Sequence, residues 1–135
     1  MSHEEILPEE GWRRASTGGW RLVDVRTPQE FAMGHPEGAI NIPIGFRSPM
    51  GLQPNPDFVP TFRRLFPDTT APLALTCGNG PRSDRGCHQL SAAGYTQLAN
   101  VLGGMFGAPG LVGWVDAGLP VSDATAGVSW DDLKG

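Results

Sequence analysis

Cysteine occurs only twice in the 135 residues, no run of Lys or Arg forms a basic stripe, and no apolar stretch is long enough to span a bilayer. Each scarcity narrows the field. Two cysteines make no disulfide framework. The opening Met1-Ser2-His3-Glu4-Glu5-Ile6-Leu7-Pro8-Glu9-Glu10 also lacks the basic and apolar regions of a secretion signal, so the thiols read as reduced and the expected compartment is the cytoplasm. Ten basic against fourteen acidic side chains leave a formal charge of -4, which argues against nucleic acid as a partner, as the lack of an apolar span argues against a membrane. His35 and His88 have no ligand partners at metal spacing and the two cysteines match no zinc pattern, so no metal is expected.

What is abundant is glycine and proline, 19 and 13 residues, in a chain of one-domain length. They imply many turns between short elements. Pro8 to Ala15 reads as a short helix with Trp12 facing inward, broken by Thr17-Gly18-Gly19. Leu22-Val23-Asp24-Val25 is a buried strand, and Thr27-Pro28-Gln29-Glu30 after it is a capping box with Pro at the first helical position. Ala39 to Pro43 is a second strand, and Gly45 to Pro56 reads as a surface loop without periodicity. From a cap at Asn55, residues Phe58, Phe62, Leu65 and Phe66 mark an amphipathic helix whose aromatics face the core. Leu73 to Thr76 is a strand, a helix follows from about Ser83 to a cap at Gly94, Leu98 to Leu102 is another strand, and a last helix is expected over Pro109 to Ala117, capped at Gly118. Short apolar strands alternating with amphipathic helices give an α/β domain with a parallel sheet covered on both faces. No repeat and no second domain is visible. A polar tail follows Val121 with little to bury except Trp130, which is expected to pin it back on the body.

The chemistry concentrates at Cys77, where a strand ends and a helix begins, the position at which open parallel sheets carry ligands. Gly78 and Gly80 let the loop curl so that backbone N–H groups turn inward as an anion nest at the helix N-terminus. Such a nest, with the cation of Arg82, lowers a thiol's pKa and favours the nucleophilic thiolate. A small buried hydrophobe at a strand end is the bland alternative for Cys77. Cys87, ten residues on and at helical spacing with Leu90, points into the core. Asp24, Arg26 and Glu30 read as an ion pair tying the first strand end to the first helix.

Cys77-Gly78-Asn79-Gly80-Pro81-Arg82-Ser83 resembles the active-site loop of single-domain rhodaneses. Leu22 to Arg26 with Glu30-Phe31 and Gly34-His35, Gly38 to Pro43, Gly94-Tyr95, Leu102 to Gly104 and Trp114 through Val121 are similar to that family's other segments, so the resemblance runs from about Gly11 to Val121. It implies a rhodanese-like domain over residues 1–121 with a polar tail over 122–135. It also implies a central parallel sheet flanked by helices, a catalytic Cys77 with Arg82 orienting and shielding its loop, and substrate contacts from Gly78, Asn79, Gly80, Pro81 and Ser83. Three features depart from the pattern. Gly78 stands where many members carry a basic or polar side chain, Met105 to Val112 holds extra residues, and the loop at Gly45 to Pro56 is long, like that of plant-type members.

The implied activity is sulfur transfer without metal or organic cofactor: Cys77 takes sulfane sulfur from thiosulfate or a small persulfide and passes it to a thiol or cyanide. A sulfur-carrier or regulatory module serving a protein thiol is the alternative. A phosphatase or arsenate reductase is disfavoured, since the four residues between Cys77 and Arg82 make a narrower cradle than those enzymes use.

Overall fold

The computed structural model describes residues 3–135, so the first two residues of the expected 1–121 domain lie outside it. In chain order the elements are β1 (Glu4–Ile6), α1 (Pro8–Thr17), β2 (Arg21–Asp24), α2 (Pro28–Met33), β3 (His35–Pro36), β4 (Ile40–Asn41), β5 (Gly45–Ser48), β6 (Gly51–Pro54), α3 (Phe58–Leu65), β7 (Leu73–Thr76), α4 (Pro81–Ala92), β8 (Leu98–Val101), β9 (Val121–Ser122) and α5 (Trp130–Leu133). Five strands form one parallel sheet in the order β1-β8-β7-β2-β4.

Alternation along these strands divides the core in two. Val23, Leu73, Leu75 and Leu98 face a layer built from Phe58 and Phe62 of α3, Cys87 and Leu90 of α4 and Trp130 of α5. Leu22, Ala74, Ala99 and Val101 face the other way, toward Phe31 of α2, Trp114 and the half-buried Trp12 of α1. Burial on both faces is why these strands read as short continuous apolar runs. Gly86 fixes how closely α4 lies on the sheet: a Cβ there would sit 2.9 Å from Leu75 Cδ2 and 3.1 Å from a Phe58 ring carbon.

α2 starts as its sequence dictates. Thr27 Oγ1 accepts the Glu30 N–H at 3.3 Å, Glu30 Oε1 accepts the Thr27 N–H at 3.2 Å, and Pro28 opens the helix.

Elsewhere the structure corrects the expectations. Gly45 to Pro56 is not an irregular loop, because β5 and β6 pair as an antiparallel hairpin with Gly45 opposite Pro54 and Ser48 opposite Gly51. Gly51, at φ +98°, closes its turn, and the scattered glycine and proline hide the strand alternation. α3 runs from Phe58, and Asn55 leads into it as expected of a cap, its Oδ1 accepting the Asp57 N–H at 2.9 Å while its buried Nδ2 donates to Pro43 O at 2.8 Å. α4 begins at Pro81, before Ser83. No helix covers Pro109 to Ala117: Gly103, Gly104, Gly107 and Gly110 all have positive φ, and the segment coils through turns with one bridge between Ala108 and Leu111. β1, unforeseen because Glu4 and Glu5 mask it, extends the sheet beside β8. The tail is ordered: β9 pairs with β3, Asn41 N–H donates to Val128 O at 2.8 Å, and Trp130 is only 6% exposed.

Candidate active site

β7 delivers Cys77 to the carboxyl edge of the sheet, and α4 starts four residues later with Gly80 as its cap and Pro81 in its first turn. The loop between them bends at Gly80, whose φ of +126° suits glycine alone. The bend aims the Gly80 N–H at Cys77 Sγ, 3.1 Å away. Ser83 Oγ stands 3.4 Å from the same sulfur. Gly78, Asn79, Gly80, Pro81 and Ser83 therefore all lie on one loop and the first helical turn around a buried thiol.

The loop is held from beneath by the segment whose extra residues departed from the family pattern. Met105 N–H donates to Cys77 O at 2.8 Å and Phe106 N–H to Gly78 O at 2.9 Å. Asn79 turns its side chain away from the sulfur, its Nδ2 reaching Gly107 O at 3.2 Å. Gly104, at φ +54°, passes so close that a Cβ would lie 2.2 Å from Cys77 O.

Arg82 packs against the same loop, its Nη2 coming within 3.2 Å of where a Gly78 side chain would begin. Its guanidinium makes a fork with Glu30, Nη1 to Oε1 at 2.7 Å and Nη2 to Oε2 at 3.1 Å. The expected pairing of Glu30 with the first strand end is thus corrected. Arg26 keeps Asp24, Nη2 to Oδ2 at 2.7 Å, whereas the capping box holds the Glu30 carboxylate toward the Cys77 loop. Burial pushes the Glu30 carboxyl up, but the hydrogen bonds and charge of Arg82, helped by Thr27, overcome it and hold the group at about 2. Arg82 is raised in turn, chiefly by its bond to Glu30 against the opposing cost of burial, with the charge of Cys77 adding to the rise.

Cys87 lies in the core layer beneath α4. Burial first, then the negative groups Asp84, Cys77 and Glu5, push its thiol up to about 12, so it stays protonated and inert.

Sequence reasoning missed Asn100. This β8 residue is 2% exposed, stands opposite Leu75, and its Oδ1 accepts from Ser83 Oγ at 2.5 Å. The one available signal was a polar side chain inside the apolar run Leu98 to Val101. The fold also brings His3, from the start of the chain, beside Asp84 and His88, which lie one turn apart on α4, a grouping that spacing in the sequence does not show.

Beside the loop opens a cavity of about 470 Å³, lined by Arg26, Glu30, Met33, Phe106, Val115 and Val121 among others. Its walls are largely apolar, with Met33 87% and Phe106 61% exposed.

Residues 7–108 match the rhodanese-like domain. The chain is 33% identical over 111 residues to the rhodanese-like domain-containing protein 15 of Arabidopsis thaliana chloroplasts, covering 82% of this chain and 57% of that protein, so it spans little more than half of that relative's length. It is 36% identical over 102 residues to the chloroplastic thiosulfate sulfurtransferase 16 of the same plant, 76% of this chain and 79% of that one. Among solved structures, Rv0390 from M. tuberculosis superposes with a TM-score of 0.73 at 27% identity, over 90% of this chain and 98% of its own. The matched span includes β7, the complete Cys77 loop and α4 on the same five-stranded parallel sheet, and the chain belongs to the rhodanese-like domain family.

Proposed function

We propose that this chain is a sulfurtransferase that carries sulfane sulfur as a persulfide on Cys77. The observation that carries the reading is the environment of the sulfur: a buried Sγ at a sheet edge, facing the Gly80 N–H at 3.1 Å and Ser83 Oγ at 3.4 Å, at the start of α4. The Gly80 N–H and the helix terminus favour negative charge on whichever sulfur occupies the loop, while the Ser83 hydroxyl, whose proton goes to Asn100 Oδ1 at 2.5 Å, lines the same pocket.

The Cys77 thiolate attacks the outer sulfur of thiosulfate, forming an S–S bond while the donor's own S–S bond breaks and sulfite leaves with the electron pair. Cyanide or a thiolate then attacks the outer sulfur of the persulfide, taking it as thiocyanate or a new persulfide and returning Cys77 as thiolate. A small persulfide donor serves in the same way, its thiolate replacing sulfite as leaving group. No step needs a metal, a cofactor or an external oxidant. Arg82 is committed to Glu30, so it braces the loop and supplies positive charge without gripping substrate directly.

A carrier role toward a protein thiol is the second reading, supported by the apolar cavity and exposed Met33 and Phe106 beside the loop. Reduced thiols fit the cytoplasm, which remains the proposed compartment.

Parallel assays test the proposal: thiocyanate formation from thiosulfate plus cyanide, and sulfide release from a glutathione persulfide, in wild type, Cys77→Ser and Cys87→Ala. Loss only in Cys77→Ser, with one extra sulfur on the wild-type Cys77 peptide by mass spectrometry, is the expected result. Absence of any added sulfur with every donor overturns it, and a loaded persulfide that only a protein thiol discharges selects the carrier reading.

A further inference from the structure

On α4, the side chains of Asp84 and His88 are met by a third from the start of the chain, that of His3. Asp84 and His88 are one helical turn apart, so both project from the same side of α4. His3, from the segment leading into β1, meets them there. His3 Nε2 lies 2.8 Å from Asp84 Oδ1, His88 Nε2 lies 3.6 Å from Asp84 Oδ2, and the two imidazoles stand edge to face with centroids 5.0 Å apart. One ligand atom from each residue falls within 4.8 Å of the others.

We propose that His3, Asp84 and His88 form a binding site for a borderline first-row divalent cation, with zinc as its representative. Zinc bonds of about 2.0–2.1 Å in a tetrahedron place neighbouring ligand atoms about 3.3 Å apart; here the two imidazoles lie 2.8 and 3.6 Å from different oxygens of Asp84, so a turn of the carboxylate presents one oxygen to both. Small rotations of the His88 side chain, which is 62% exposed, close the remaining gap. Two imidazoles and one carboxylate suit zinc and its neighbours better than magnesium or calcium, which prefer all-oxygen sets. Three protein ligands leave a fourth position for water on the open side, where Asp84 and His88 meet solvent.

The site joins two elements that otherwise meet weakly. β1 is a three-residue edge strand held by β8, and Asp84 directly follows Ser83 in the first turn of α4. A bound cation clips the strand to the helix that positions the Cys77 loop, and so stabilises that corner by favouring the folded chain.

The test uses the full chain without an oligohistidine tag and with Cys77→Ser, so that the reactive thiol is not itself a ligand. Zinc and magnesium are titrated calorimetrically, and the imidazole nitrogens are followed by NMR, with buried His35 as internal control. Expected are one zinc per chain, shifts at His3 and His88 with none at His35, no magnesium binding, and at least about a tenfold loss of zinc affinity in both His88→Ala and Asp84→Asn. His88 is on the helix surface, so its variant remains folded, which circular dichroism verifies. Zinc binding that survives both substitutions overturns the proposal, as does the absence of saturable binding up to a concentration on the order of millimolar.

Discussion

At Cys77 and Cys87 the same side chain meets two environments. Cys77 ends a strand with a backbone donor on its sulfur, whereas Cys87 is packed under α4, where burial and nearby negative groups hold its thiol at about 12. Cys87→Ala is therefore expected to leave turnover within about twofold of wild type, at a stability cost on the order of 1 kcal/mol in denaturant unfolding. Ser83 and Asn100 behave as a unit, because a hydroxyl has one proton and three acceptors lie near it: Asn100 Oδ1 at 2.5 Å, Gly80 O at 3.0 Å and Cys77 Sγ at 3.4 Å. Ser83→Ala strands the buried Asn100 amide and should cost about 1–3 kcal/mol. Adding Asn100→Leu to it should recover part of that loss, and a double-mutant cycle by chemical denaturation measures the coupling.

Among elements, the capping box of α2 does two jobs, starting the helix and presenting Glu30 to Arg82. Its pH signature follows from the carboxyl's descent from an ordinary 4.5 to about 2 in the fold. The unfolded chain takes up the proton first, so the pair's contribution is fully present above about pH 4.5, shrinks as pH falls, and is gone below about 2. With both side chains partly exposed, the amount is on the order of 1–2 kcal/mol. Glu30→Gln should remove that acid-limb slope in stability measured between these pH values. The segment behind the loop is as constrained: Gly104→Ala places a Cβ 2.2 Å from Cys77 O at a positive φ, and a loss of about 3 kcal/mol or more, with loss of turnover, is expected by thermal unfolding and assay.

For the molecule as a whole, both core layers draw on distant parts of the chain, one from Val23 to Trp130 and the other from Ile6 to Trp114. The layer under α3 and α4 is closed by Trp130, near the end of the chain, against Phe46 of the hairpin at 6.2 Å between rings. The segment after Val121 is thus part of the core's cover, and Trp130→Ala should cost about 3–5 kcal/mol in the unfolding of the entire domain, lowering its single transition instead of freeing a separate tail. Among the described residues no helix is long and apolar enough to cross a membrane.

The α/β class, the strands at Leu22 and Leu73, the α2 cap and the Cys77 loop were legible because each depends on neighbours in sequence: apolar runs, a Thr-Pro-x-Glu start, and glycines beside a cysteine at a strand end. The hairpin at Gly45, the glycine coil from Gly103 and the edge strand at Glu4 were not, since long-range pairing and backbone geometry override their weak local patterns. Only the tertiary structure decided that Glu30 belongs to Arg82, that Asn100 stands behind Ser83, that Met105 and Phe106 support the Cys77 loop, and that His3 meets His88. The physical reason is common to all four. Their partners lie far along the chain, and side chains so separated meet only after the sheet has set strand order and register.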